Sequence, residues 1–191
     1  MLNIVKYQGR FGFIKPWTSV RDEETYSQQF LTESTLMGIE KKIFPQFLDS
    51  SKLETIVGYR LKYDSVTKQT EVTQPRGWNV LSKRDNSYER PYSIITRGLL
   101  LNPTLFLAFE NEVYAKQAFK QHICLCRNED LMWPISIIQT NENSFHMDSD
   151  FSGFELIKSN EPTSMMVGYN RYNSNEPMYG KLKVVGKPVK Y

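Results

Sequence analysis

Cysteine and histidine are nearly absent from this 191-residue chain, which holds two of each. Cys124 and Cys126 are separated by one residue, too close for a relaxed disulfide between them. The spacing His122-x-Cys124-x-Cys126, with His146 as the other imidazole, matches no common zinc site. No local signature accompanies a Cys nucleophile with His122 or His146 as its base. The two cysteines read instead as small hydrophobes on a buried strand edge. Long apolar runs are missing too: the stretch from Ile94 to Phe109 is interrupted by Thr96, Arg97, Asn102 and Pro103, which excludes a membrane-spanning helix there. The opening residues MLNIVKYQGR lack the apolar core of a signal peptide, and with no disulfide framework the expectation is a cytoplasmic protein. Gly9-x-x-Gly12 lacks the Lys-Ser/Thr of a phosphate loop. Carboxylates cluster only in the polar runs Asp22-Glu23-Glu24 and Glu129-Asp130, which suit solvated loops better than a glycosidase or metal hydrolase. With no repeat, low-complexity tract or visible boundary, the expectation is one domain over residues 1–191, without metal or cofactor.

Basic charge and aromatic side chains are well supplied. The net charge is only +3, but it is unevenly spread. Gly58 to Leu100 carries eight Lys/Arg against four Asp/Glu, and the last thirty residues carry five against one. Between Glu142 and Glu161 the balance reverses, five acidic residues against Lys158. Such asymmetry suits one face for a polyanion and a separate acidic face. Eleven Tyr and three Trp supply flat faces with a polar handle.

Periodicity predicts the elements. Leu2 to Tyr7 reads as a strand, and Thr32 or Ser34 can cap a helix with apolar positions Leu36, Ile39 and Ile43, widened by Met37 and Phe44 and stopped by Pro45. Ile56 to Asp64 puts Tyr59, Leu61 and Tyr63 on one face and Arg60 and Lys62 on the other, the pattern of a half-exposed strand. Thr67 to Arg90 has almost no apolar pattern before Trp78 and is predicted as an extended hairpin or arm. Tyr92 to Arg97 and Leu99 to Glu110 read as strands, with Asn102-Pro103 as a turn or bulge between them. Glu112 to His122 reads as a helix with Val113, Ala118 and Phe119 inward. Asn141 to Asp150 is predicted as a loop between strands at Ile135–Gln139 and Phe151–Lys158, and Lys181 to Lys190 as a weak strand with a basic tail. This order fits a ferredoxin-like α+β fold with elaborations.

Two clusters point to nucleic acid. Arg10, Lys15, Trp17, Arg21 and Tyr26 surround the opening loop, while Arg76, Trp78, Lys83 and Arg84 lie on the arm. Cationic side chains neutralise phosphates, and aromatic rings stack on unpaired bases for about 1–3 kcal/mol each. Hydroxyls at Thr32 and Ser34, near a helix N-terminus, can take an anion. Separately, each aromatic has a packing explanation, Trp78 and Tyr59 included.

The stretch RFGFIKPWTSVRDEETYSQQFLTESTLMGIEKKIF resembles the N-terminal segment of the Cas-five family, CRISPR-associated proteins of the RAMP superfamily, at Gly9, Phe13, Pro16, Arg21, Tyr26, Thr32-Glu33-Ser34, Gly38 and Ile43-Phe44. RPYSIITRGLLLNPTLFLAFE is similar to the family's Arg-then-apolar strand, with Arg97 in place, and the helix Tyr114 to Lys120 follows at the usual distance. The resemblance covers roughly Arg10 to Phe44 and Arg90 to Ile123. It implies an α+β, ferredoxin-like (RRM-type) RAMP core with an extended β-hairpin thumb at 67–90. It also implies a non-catalytic subunit that grips and caps the 5′ handle of a CRISPR RNA in a Cascade-type complex. Implied partners are a Cas-seven-type backbone subunit, a large subunit in many such complexes, and target DNA indirectly.

One branch of the family cuts precursor CRISPR RNA without metal, using a Tyr at the end of the first helix and a Lys-His pair before the second. Those positions fall here on Phe44 and on Tyr114-Ala115, so all three groups are replaced. His122 with Lys116 or Lys120 is the substitute set for an endoribonuclease, the alternative reading. A third reading is an interaction protein unrelated to nucleic acid, with the acidic 142–161 segment as its contact. The C-terminal third departs from the family in having isolated glycines, Gly168, Gly180 and Gly186, rather than a glycine-rich loop.

Overall fold

The computed structural model of the protein describes residues 1–18, 24–73 and 77–190. The chain opens with β1 (Leu2–Gly9), β2 (Phe11–Gly12) and β3 (Glu24–Tyr26), then passes through α1 (Glu33–Ile43) into β4 (Ile56–Lys62) and β5 (Ser65–Thr73). A small hairpin of β6 (Asn79–Ser82) and β7 (Ser87–Glu89) leads to β8 (Ser93–Leu101) and β9 (Thr104–Phe109). Next come α2 (Glu112–Ala118), β10 (Ile123–Cys124), β11 (Leu131–Thr140) and α3 (Glu142–Met147). The chain closes with β12 (Gly153–Lys158), β13 (Met165–Asn170) and β14 (Glu176–Val185).

This is a mixed α/β architecture with mostly antiparallel sheets and few helices. Eight strands form one sheet in the order β10-β11-β1-β9-β4-β12-β14-β13, every neighbouring pair antiparallel. Four of its adjacent strands, β11-β1-β9-β4, and the helices α1 and α2 occur along the chain in the order β-α-β-β-α-β (β1, α1, β4, β9, α2, β11), with the remaining strands inserted between them. Alternation explains the two layers. Val5 and Tyr7 of β1 point to the helices, where they meet Leu36, Ile39 and Ile43 of α1 and Ala115 and Ala118 of α2. The Tyr7 hydroxyl donates to the Ala118 carbonyl at 2.7 Å. Leu2 and Ile4 point the other way, onto Phe106, Ala108, Phe145 and Phe151. Strand β9, apolar throughout apart from Thr104, is buried along its whole length.

Helix α1 begins at Thr32, whose Oγ1 accepts from the Thr35 N–H at 3.3 Å, and closes at Phe44 before Pro45. Within it, the Glu40 carboxylate is buried and accepts from the backbone N–H groups of Glu54, Thr55 and Ile56 and from the Thr55 hydroxyl. Neighbouring Lys41 donates to the carbonyls of Leu48 and Ser50. Two charged side chains thus hold the α1–β4 connection, satisfying donors and acceptors that a buried turn would otherwise strand.

Three expectations from sequence are corrected. Residues 141–150 are not a loop: Asn141 caps α3 by accepting from the Ser144 N–H at 2.7 Å, and Phe145 is the side chain the helix buries. One apolar anchor in so short a helix leaves no periodic signal. In α2, Val113 is 66% exposed and Phe119 lies past the helix end, so the inward side is built from Ala115 and Ala118. Strand β4 is not half-exposed, because α3 covers Arg60, which is fully buried and paired with Glu155 of β12. The Arg60 guanidinium also lies 4.7 Å from the Phe145 ring centre and 3.1 Å from Nδ1 of His146.

The pairing of β4 with β9 runs, without a slip, into that of β5 with β8: Lys62 faces Thr104, three positions further along each strand Ser65 faces Leu101, and at the far end Thr73 faces Ser93. One long hairpin therefore starts at the sheet centre and leaves the domain. On its far side β8 takes β2 antiparallel and β3 parallel. Removing one partner of a buried ion pair leaves the other uncompensated. Glu155→Ala is therefore expected to cost about 3–5 kcal/mol in urea unfolding, and Arg60→Met with Glu155→Leu to recover most of it. A double variant as unstable as the single would refute this account.

Candidate nucleic-acid interface

The residues predicted to contact nucleic acid fall into two groups, which the hairpin holds apart. Nine residues of β5 at about 3.4 Å each separate its base from its tip by roughly 30 Å. Arg10, Lys15, Trp17, Tyr26 and Arg97 belong to the base, and Trp78, Lys83 and Arg84 to the tip. Arg21 and Arg76 lie outside the described residues.

At the tip, the β6–β7 hairpin turns through Lys83, Arg84, Asp85 and Asn86, with Asn86 in the left-handed region at φ 47°. The Ser82 hydroxyl accepts from the N–H groups of Arg84 and Asp85, which fixes the turn and leaves both cationic side chains in solvent. Trp78 is 62% exposed, with the Arg90 guanidinium 5.5 Å from its ring centre. Val72, Leu81, Tyr88, Tyr92 and Ile94 are also exposed. Apolar and aromatic exposure on this scale, next to cationic side chains, marks an interaction surface.

At the base, Tyr26 lies across Gly98, where any Cβ would overlap its ring. Its hydroxyl donates to Glu24 at 2.8 Å, and Lys68, directly opposite Gly98 on β5, completes the set by pairing with Glu24. The hydrogen bond from Lys68 is the main reason that the Glu24 carboxyl sits below its ordinary pKa. Arg97 is engaged as well: its Nε donates to Glu71 at 2.8 Å, and the same carboxylate accepts from Arg127 at 3.2 Å. Both guanidinium groups flank the Phe13 ring, at 5.1 and 5.3 Å from its centre, and Arg127 is further held by buried Asp130 at 2.7 Å. This Glu71–Arg97–Arg127–Asp130 brace fastens the hairpin to the loop before β11. Sequence reading missed Glu71 and Arg127 because they are 56 residues apart and carry no local pattern.

Arg10 and Lys15 are exposed. Trp17 is 46% exposed and stands edge-on to Tyr169, 6.0 Å between ring centres. Thr32 and Ser34 are buried, and the Thr32 hydroxyl is used by its own cap, so neither stands on an open anion-binding surface. Tyr59 is core: its hydroxyl donates to the Leu31 carbonyl at 2.8 Å and accepts from Leu156 N–H at 2.8 Å, and burial pushes its pKa up.

The alternative catalytic set is arranged differently from its sequence reading. His122 lines a cavity of 560 Å³ beside Lys42, Cys124, Arg171 and Tyr172. Lys116 pairs with Glu112 and, like Lys120, does not line that cavity. Cys124 is half-buried on the short edge strand β10, whereas Cys126 is exposed rather than buried. Among the described residues no group of three or more His, Cys, Asp and Glu could hold a metal ion, and no helix is long and apolar enough to cross a membrane.

No family model and no curated protein matches the sequence. Solved structures do match in fold. A chain of a CRISPR RNA-guided surveillance complex superposes with a TM-score of 0.57 at 10% identity, covering 99% of this chain and 93% of that one. A chain of the type III-B Cmr-beta complex, bound to cognate target RNA and AMPPnP, gives a TM-score of 0.53 at 7% identity, covering 96% and 84%. The likeness therefore spans nearly the whole of this chain.

The Tyr26–Glu24–Lys68 set generates a test at the hairpin base. A carboxylate with a depressed folded pKa contributes stability above its unfolded pKa, and that contribution disappears as the pH falls through the folded value. Titration of Glu24 followed by NMR is expected to show a midpoint below the ordinary glutamate value of about 4.3, and Lys68→Gln to return it towards that value. An unchanged midpoint in Lys68→Gln would dissolve the assigned pairing.

Proposed function

We propose that this protein is an RNA-binding subunit of a CRISPR surveillance complex, of Cas-five type, that grips and caps the 5′ handle of the CRISPR RNA without cutting it. The observation that carries the reading is the hairpin: it continues the central strands β4 and β9 and presents Trp78, Lys83 and Arg84 at its tip. The β-α-β-β-α-β order, with the strands arranged fourth, first, third, second, supports a ferredoxin-like core. The similarity in fold to a chain of a surveillance complex supports the setting. On this reading residues 1–191 are one RAMP domain, 67–90 its thumb, and a Cas-seven-type backbone subunit its neighbour. A large subunit and target DNA are more distant partners, all in the cytoplasm. Arg10, Lys15, Trp17, Arg21, Tyr26 and Arg97 meet the handle at the base, and Arg76, Trp78, Lys83 and Arg84 meet it at the tip.

The second reading, metal-independent cleavage, keeps one observation in its favour: His122, Lys42 and Arg171 line the same cavity, so an imidazole and two cations face one space. Both readings are tested by co-expressing the chain with a CRISPR repeat-spacer transcript, purifying in chelator and mapping the ends of bound RNA. The expected result is retained RNA left uncut at the repeat, and a Lys83→Gln/Arg84→Gln variant whose log–log salt slope for RNA binding is shallower by about 1.4, at roughly 0.7 per lost phosphate contact. Cutting at one repeat position that disappears in His122→Ala would move the enzyme reading to first place. A chain that carries no RNA at low salt would refute both.

A further inference from the structure

The sheet face opposite α1 and α2 is covered only in part. Phe145 and Phe151 lie over Ile4, Phe106 and Ala108, while the part nearer the ends of β1 and β4 stays open. Cross-strand register places Trp133, Gln8, Thr104 and Lys62 in one row across β11, β1, β9 and β4. The adjoining row is Ser136, Lys6 and Phe106, ending on buried Arg60. Residues directly opposite on neighbouring strands share a face, so these side chains converge.

The row is ordered from within. Gln8 donates to the Thr104 hydroxyl at 3.4 Å, and the Lys62 ammonium lies 5.3 Å from the Phe106 ring centre. Trp133 is 56% exposed, with the His122 ring 5.2 Å from its own at an angle of 44°, so it is supported on one side and open on the other. Neither Lys6 nor Lys62 forms an ion pair among the described residues. Burial first, and then nearby Lys6, push the Lys62 ammonium below its ordinary pKa. Of the carboxylates near Lys62, Asp64 is held by Lys190 and Asn102, and Asp150 stands exposed. Two ammonium groups on one sheet face, Lys6 opposite Phe106 and Lys62 over the same ring, together with an exposed indole, fit a phosphate and an adjacent base.

We infer that this open part of the sheet binds a short single-stranded stretch of nucleic acid, with a base stacked on Trp133 and phosphate held between Lys6 and Lys62. The inference rests on the RNA-binding reading and adds a contact separate from the hairpin tip. A single strand fits better than a duplex, whose bases are already stacked and offer no free face. An acidic protein surface would answer the two lysines but leave the indole face without a partner.

The test uses the full chain and a fluorescein-labelled single-stranded RNA of mixed sequence, with anisotropy measured over a range of salt concentrations. Lys6→Gln/Lys62→Gln is expected to flatten the log–log salt slope by about 1.4. Trp133→Ala is expected to weaken binding at least about fivefold, and Trp133→Phe to restore much of it, since either ring stacks. If Lys83→Gln/Arg84→Gln weakens binding while the Lys6/Lys62 and Trp133 variants bind as the parent does, the sheet-face contact is overturned and the RNA-binding reading stands. If the parent binds no RNA at low salt, both fall. Equal loss of duplex and single-stranded RNA in Trp133→Ala would overturn the stacking role.

Discussion

The buried ion pair between Arg60 and Glu155 joins the two parts of the large sheet. Among the described residues, β12 meets β4 through a single ladder pair, Phe154 with Leu61. The outer strands are therefore located on the core by side chains as much as by backbone. The Tyr59 hydroxyl, one residue from Arg60, joins the same seam by linking the segment before α1 to Leu156 of β12. Gly153 completes it, since a Cβ there would lie 2.8 Å from that of Arg60. A buried ion pair gives little net stability, but it is unforgiving about position. A one-residue slip of β12 would turn Glu155 toward the apolar, helix-side layer and leave Arg60 alone. Register along the seam is thus specified by charge.

The hairpin follows from that fixed core. Its two arms are the outward continuation of β4 and β9, two neighbouring strands of the core, so its direction is set by the packed sheet. Nearer the base, the Glu71–Arg97–Arg127–Asp130 brace and the Tyr26 ring across Gly98 fasten it to neighbouring loops. Past these contacts the side chains are mostly exposed, through β6 and β7. On the proposed reading, an arm with an aromatic and cationic tip reaches RNA beyond the body of the domain. The same geometry keeps the opening-loop cluster and the arm cluster apart.

Legibility varied with how local the determinant was. The α1 stripe at Leu36, Ile39 and Ile43, its Thr32 cap and its stop before Pro45 were readable because they lie within one short window and obey one period. Strand β9 was readable from its unbroken apolar run. Residues 141–150 were not, because α3 buries a single Phe and depends on the sheet to stay helical. Arg60 read as an exposed strand residue because alternation alone cannot tell water from an opposing glutamate 95 positions away. The Glu71 partner of Arg97 was invisible for the same reason, since it sits across a strand pair.

By itself the sequence determined that helices and strands mix in one chain, where α1 and the core strands β1, β4 and β9 lie, and the polar, aromatic character of the arm. These are properties of nearest neighbours and of short periods, carried by propensity, capping and alternation. Only the tertiary structure decided which charged groups stand free and which are taken, since an ion pair is made by side chains that the chain brings together from far apart. It moved Arg60 into the core, drew Arg97 into a brace and set His122 beside Lys42 rather than Lys116 or Lys120. It also aligned Trp133 with Gln8, Thr104 and Lys62, residues from four separate strands whose shared face exists only once the sheet has registered.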